Sequence, residues 1–268
     1  HGTLYVARFS DDGRGEWMPL VHGQGALTVA NGFADQADVL VRTRAAADAA
    51  GATRMDRPEW IAVHPQTNEV YCTLTNNSQR GAKDRAGTDR ANPRAANVFG
   101  QIIRWREAGN DPAGLRFEWD LFAVAGDPQS ADAAQRGNIK GDAYGSPDGL
   151  WFDDSGLLWI QTDVSTSTLN KGPYERMGNN MMLAADVRSG LTKRFLTGPA
   201  GCEITGVVMT PDSRTMFVNI QHPGETSSER NDPKNPKVVS SWPDGAAGGR
   251  PRSATIVIRR DDGGVVGS

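Results

Sequence analysis

Long hydrophobic runs are missing from this chain. No stretch approaches the roughly 18 apolar residues of a membrane-spanning helix, so such a span is excluded. A surplus of one charge is missing too: 29 Lys and Arg stand against 32 Asp and Glu, a formal net charge of −3. That balance gives no basis for a nucleic-acid partner or an anionic membrane surface. Cysteine is scarce. Cys72 and Cys202 allow two buried thiols or one disulfide, and two cysteines leave the compartment open. The chain also lacks a Gly-rich nucleotide loop with its Lys, a His-Glu-x-x-His pair, a Cys-x-x-Cys and a Gly-x-Ser-x-Gly elbow. The chemistries those signatures carry are therefore not expected.

What is present is a chain of 268 residues, 38% hydrophobic and 23% charged, with 31 Gly and 15 Pro. That length supports one large domain or two small ones. Gly and Pro fall between short apolar runs, the pattern of many short strands and turns. "TLYVARF" and "GEWMPL" flank "SDDGR"; "GQIIRWREA" and "RFEWDLFAVAG" flank "GNDPAG"; "MMLAADV" and "LTKRFLTG" flank "RSG". Each reads as a hairpin. One helix is expected over 34–50, Ala-rich and stopped at Gly51. Segments 78–97 and 222–253 read as long loops. The chain starts at His1 with no signal peptide and is at once strand-like, so it reads as a piece of a longer protein.

A repeat runs through it. "RPEWIAVHPQTNEVYCTLTNN" and "SPDGLWFDDSGLLWIQTDVS" both have Pro, an acid, an apolar run, a turn and a second apolar run, closing on Thr followed by Asn or Asp. "CEITGVVMTPDSRTMFVNIQHP" is a looser third copy. Glu59 lies six residues before Pro65, Asp148 six before Asp154, and Glu203 eight before Pro211. A shift of two keeps a strand residue on the same face, so three strands begin with a carboxylate pointing the same way. Each copy is followed by a further hairpin, at 98–125, 178–199 and 253–265. Four strands per unit, repeated, predict an all-β chain folded as a β-propeller. About three blades plus a leading hairpin are present, an incomplete propeller with one short helical insertion.

In a propeller the first strand of each blade lines the central channel, so the three acids converge. Converging carboxylates repel unless cations neutralise them. Oxygen donors without a nearby His favour a hard cation such as calcium or magnesium. Arg57, two residues before Glu59, is placed to hold a pair of phosphate oxygens. Blander roles compete for each residue. Glu59 can be a surface acid paired with Arg57 or Arg54. Asp148 in "SPDG" can be turn chemistry. Glu203 is equally a ligand or not, Asn76 and Asp163 can cap turns, and His222 can serve a turn or packing. The basic loop residues Arg80, Lys83, Arg85, Arg90 and Arg94 are a solvated surface or a phosphate-attracting rim.

These segments, with "NPRAANVFGQIIRW", resemble the C-terminal part of PhoX-type bacterial alkaline phosphatases, in order and over nearly the whole chain. The resemblance implies a β-propeller, export to the periplasm by the twin-arginine route, and hydrolysis of small-molecule phosphate monoesters. It implies Ca2+ and Fe3+ on the axis, with an oxo group in the cluster as nucleophile. Carried over by motif, Glu59 and Asp148 ligate metal and Glu203 is a further ligand; Asp163, at the close of the second copy, is a metal-site candidate from its place in the repeat. Arg57 is the catalytic and phosphate-contacting residue, with Asn76 and Arg94 as substrate-binding candidates. No partner protein is implied, and a monomer is expected. The family's iron-ligating cysteine has no counterpart in the motifs of Cys72 or Cys202. Two other readings keep the propeller: a calcium-dependent lactonase or phosphotriesterase with Asn76 and Asp163 as ligands, or a non-enzymatic binding platform.

The chain as given holds only part of such a site. Recombinant 1–268 is expected to show weak or no turnover of p-nitrophenyl phosphate, and full turnover by it would overturn that expectation.

Overall fold

The computed structural model describes residues 2–225, 234–245 and 250–268. β1 (Tyr5–Phe9) and β2 (Arg14–Pro19) form the leading hairpin. Two short helices follow, α1 (Gln36–Val41) and α2 (Thr43–Ala50). β3 (Pro58–Val63), β4 (Val70–Leu74), β5 (Gln101–Glu107) and β6 (Arg116–Val124) make an antiparallel meander. β7 (Lys140–Gly141) precedes a second meander of β8 (Pro147–Phe152), β9 (Leu157–Thr162), β10 (Met181–Asp186) and β11 (Leu191–Thr197). β12 (Glu203–Met209), β13 (Met216–Gln221) and β14 (Ala254–Ile258) complete the order.

Three curled sheets result. The first runs β1-β2-β6-β5-β4-β3, the second β7-β11-β10-β9-β8, the third β12-β13-β14. In each, the first strand of the repeat lies at the inner edge. β8 packs against β3 on one side and β12 on the other. This is the expected incomplete propeller, with the leading hairpin extending the outer edge of the first blade through β2 and β6.

Alternation along the strands builds the cores between blades. In β9, Leu158 and Ile160 join Tyr71, Phe152 and Leu183 between the first and second sheets. Trp159, between them in sequence, packs with Met182, Ile204 and Val218 between the second and third. The middle sheet is covered on both faces, so its strands read as continuous apolar runs. Cys72 lies in the core under the first blade and Cys202 in that of the third; both are free thiols, and burial pushes each up to about 12. No helix among the described residues is long and apolar enough to cross a membrane.

Three expectations need correction. The helix over 34–50 is two helices, because Arg42 leaves helical geometry at φ −98, ψ 42. Its guanidinium turns back to Asp38 and over the Phe33 ring. Gly51 does close α2, in left-handed geometry. The third unit has three strands among the described residues. After β14 the chain turns back, Val266 N–H donates to the Ser213 carbonyl, and Val266 is buried in the outer core. Finally, the basic segment 78–97 is not a solvated surface throughout. Arg80 is buried against Asp56, and Arg90 reaches the Asp11 carbonyl and lies over Trp119. Segment 222–253, also read as a long loop, lies partly outside the described residues, at 226–233 and 246–249.

Gly100, entering β5 at φ 73, shows how tightly the first blade closes. A Cβ there would run into the carbonyl oxygens of Leu74 and Thr75. Gly100→Ala should therefore cost roughly 2–5 kcal/mol from left-handed strain plus overpacking. Gly32→Ala, also left-handed but with open space around it, should cost only about 1–2 kcal/mol. Urea unfolding of both variants checks the difference.

Candidate active site

The three inner strands deliver their acids by one device. A left-handed residue stands two positions before each acid: Arg57 before Glu59 and Ser146 before Asp148, both at φ 51, and Gly201 before Glu203 at φ 67. For Arg57 and Ser146 this conformation is disfavoured, and each also precedes a proline. Backbone bonds hold both in place: Thr75 N–H donates to Arg57 O and Asp163 N–H to Ser146 O, each at 3.0 Å. The ladder then slips by one residue between Pro58 and Ile61, and again between Pro147 and Leu150. Such a bulge re-aims the side chain it carries, here Glu59 and Asp148. In the third copy the slip comes later, between Thr205 and Val207. Arg57 is not part of a strand continuing through Pro58; the turn, not the pleat, brings its side chain back to Glu59.

Around this rim the predicted acids come together. Arg57 Nε donates to Glu59 Oε1 at 3.2 Å, and its terminal nitrogen donates to Asp163 Oδ2 at 3.0 Å. One guanidinium thus spans the first two blades. Asp148 is 5% exposed, and its carboxylate accepts no hydrogen bond among the described residues. Burial, then the charges of Glu59, Glu203 and Asp163, push its carboxyl up to about 7, with Arg57 pulling the other way. Glu203 is also raised, first by burial and then by Asp163, against His222 and Arg57. Gln221 Nε2 donates to Glu203 Oε2 at 2.7 Å, and His222 lies 3.5 Å from the same oxygen and 3.4 Å from Glu225. His222 is therefore more than a turn residue: it is a partner of Glu203.

A polar chain runs behind the rim. Tyr174 OH donates to the Val98 carbonyl at 2.7 Å, so it accepts from Ser146 Oγ, also at 2.7 Å. Ser146 in turn accepts from Asn76 Nδ2 at 3.3 Å. The donor end of the Asn76 amide is thereby engaged, and its carbonyl oxygen is the end left to act. Arg94 sits further back, over the Phe99 ring, with one nitrogen on the Gly100 carbonyl at 2.8 Å. Its Nε and second terminal nitrogen are buried without partners. Burial lowers its pKa, and the charges it feels are Tyr174 and Asp56, not the rim acids.

Two features fit a hard cation at the rim. The carboxylates are oxygen donors in mutual repulsion. The Gln161 amide is fully buried with neither atom hydrogen-bonded, and lies directly under Gly149, where a Cβ would strike its Oε1. Oxygen donors of this kind suit calcium better than a soft metal. No group of three His, Cys, Asp or Glu among the described residues closes a metal shell by itself. The residues present therefore fit one wall of such a site. Sequence reasoning missed Gln221, Gln161, Tyr174 and Ser146. Of these only Ser146 carried a signal, standing where Arg57 stands in the aligned repeat.

The family profile described as alkaline phosphatase PhoX matches residues 1–224. A solved structure titled Pseudomonas fluorescens PhoX in complex with vanadate, a transition state analogue, is 48% identical, with a TM-score of 0.88. The match covers 100% of this chain and 46% of that one, so the chain spans about half the length of the relative. No curated protein matches.

The raised Asp148 carboxyl sets a pH dependence. It binds its proton more tightly folded than unfolded, from an ordinary 3.8 to about 7. Its contribution to stability is therefore full at low pH and is lost as pH rises between about 4 and about 7. In chelator-treated protein, stability should fall across that window by on the order of 2–4 kcal/mol. Asp148→Asn should flatten the fall. Urea titrations at several pH values check it; a profile unchanged by the substitution would place the repulsion elsewhere.

Proposed function

This chain belongs to the alkaline phosphatase PhoX family, and from that membership we propose that its parent protein hydrolyses small-molecule phosphate monoesters, releasing inorganic phosphate. The observation that carries the reading is the rim itself: Glu59, Asp148, Asp163 and Glu203 gathered around the single guanidinium of Arg57. So many carboxylates in electrostatic reach of one another call for cations. Vanadate, a phosphate-like oxyanion carried by the solved relative, supports phosphoryl chemistry at such a rim.

Glu59, Asp148, Glu203 and Asp163 would hold the metal ions, with calcium and iron expected from the family. Bound there, the ions supply Lewis-acid polarisation of the phosphoryl oxygens. Arg57 does the protein's own part. Its planar fork matches two oxygens of a phosphoryl group, and a fork already fixed by its turn loses little freedom on binding. Positioning of this kind is a large share of phosphoryl-transfer catalysis. Asn76 presents its carbonyl oxygen beside the rim, held by the relay to Tyr174. Arg94, with two buried nitrogens unspent, is a further substrate-binding candidate. The parent acts as an exported monomer on phosphoesters reaching it from outside.

The test is elemental analysis of the full-length protein purified without added metal, beside its Glu59→Gln variant. Calcium with iron in the parent, and loss of metal in the variant, is the expected result. Arg57→Ala in the same protein should lower kcat/KM by roughly 100-fold or more with folding intact. No stoichiometric metal in either protein would move the binding-platform reading ahead.

A further inference from the structure

Segment 78–97, the basic loop, looks at first like surface. Its neck is closed by a bridge between Asn77 and Asn97, where Asn77 N–H donates to the Asn97 carbonyl at 2.6 Å. Three side chains at that neck converge on Asp56, which has no exposed surface. Asn77 Nδ2 and Asn97 Nδ2 each donate to its carboxylate at 2.9 Å. Arg80, also buried, donates its Nε to the same carboxylate at 2.7 Å. The remaining Arg80 nitrogens are used as well, on the Gly87 carbonyl at 3.0 Å and the Arg54 carbonyl at 2.7 Å. Asn92 ties the same stretch of backbone, accepting from Asp56 N–H at 2.9 Å and donating to the Arg54 carbonyl at 3.0 Å.

A fully satisfied buried ion pair is weak evidence for stability, because desolvation offsets most of the attraction. Its value is in fixing one geometry. The residue it fixes next is Arg57, in the left-handed conformation, directly before a proline. Arg57 must aim one guanidinium at both Glu59 and Asp163. A strained residue keeps its conformation only when its surroundings over-determine it. Here the clasp on Arg54 and Asp56 does that from one side, and the Thr75 N–H bond to Arg57 O from the other.

We propose that the buried Asp56–Arg80 pair, clasped by the 78–97 loop, is a positioning device for Arg57, so that Asp56 and Arg80 set phosphoryl affinity without touching substrate. This rests on the phosphatase reading of the rim. The loop then has a task its composition conceals: it carries its most buried cation inward, to the backbone that launches the guanidinium. Arg94 feels the Asp56 charge too, so the same clasp bears on the second arginine.

The test is a double-mutant cycle in the full-length enzyme. Arg80→Lys keeps the charge but loses the fork. It is made alone and in an Arg57→Ala background, and the inhibition constant for vanadate, KM for p-nitrophenyl phosphate and thermal midpoint are read. Alone, Arg80→Lys should weaken vanadate about tenfold or more. In the Arg57→Ala background it should change vanadate affinity less than about twofold. The thermal midpoint should drop equally in both. Equal loss of vanadate affinity in both backgrounds, or no loss in either, overturns the proposal. Asn97→Ala, which removes one of the bonds to Asp56 and leaves the ion pair, gives the same comparison if the lysine variant does not fold. A wild-type enzyme that neither hydrolyses phosphomonoesters nor binds vanadate overturns the phosphatase reading itself, and this one with it.

Discussion

Like charges brought close together are the constraint on which the rest of the structure turns. Glu59, Asp148, Asp163 and Glu203 sit within each other's fields, and Asp148 bears the cost most clearly, its carboxyl raised by burial and by the other three. A chain does not assemble such a group by drift. Glu59, Asp148 and Glu203 are each launched by a left-handed residue two positions earlier, and in the first two blades a bulge follows at once. Local strain at the rim and repulsion between the acids are both sustained by the blades, whose cores hold the inner strands side by side.

The middle sheet shows how that support is built. Its strands alternate residues into two cores, so the second blade cannot shift without disturbing both neighbours. Tyr71 and Phe152 meet edge to face, ring centroids 5.1 Å apart, directly between β4 and β8. Thr73 ties the same strands by donating to the Asp148 carbonyl at 2.7 Å while accepting from Trp60 N–H at 3.0 Å. One hydroxyl thus links the bulges that carry Glu59 and Asp148. Apolar packing fixes the blade spacing, and this bond fixes the relative height of the two acids.

How much of this was legible in the sequence follows from what repeats. Glu59, Asp148 and Glu203 were legible because each begins a strand of the same apolar pattern, and alternation alone sets their face. The hairpins were legible from their turn residues. The contact between Arg57 and Asp163 was not, since it joins residues 106 positions apart on different blades. The relay through Tyr174 was equally hidden: that residue lies in a stretch with no strand and no repeat. Arg80 misled because loop composition speaks of solvent while burial depends on where the loop folds. The helix break at Arg42 was missed for a related reason. Ala-rich sequence favours one continuous helix, but at Arg42 the backbone leaves helical geometry while its guanidinium sits over the Phe33 ring and on Asp38 one turn back.

Arg57 finally sits under competing demands, and these explain why so much structure surrounds it. Its Nε and one terminal nitrogen already hold two carboxylates, so an anion that takes that edge of the fork displaces Glu59 and Asp163. That exchange is unfavourable while both acids carry uncompensated charge, because releasing them restores their repulsion of Asp148. It becomes favourable when cations engage the acids, since the guanidinium is then free of its counter-charges. On the proposed phosphatase reading, metal binding and phosphate binding would be coupled through one side chain, and by linkage that coupling is reciprocal. A guanidinium with that role cannot be loosely held. If it could swing to solvent, the acids would lose their only shared counter-charge among these residues, and the anion would lose a pre-aimed partner. The left-handed turn, the bond from Thr75 and the buried pair beneath it all act against that swing.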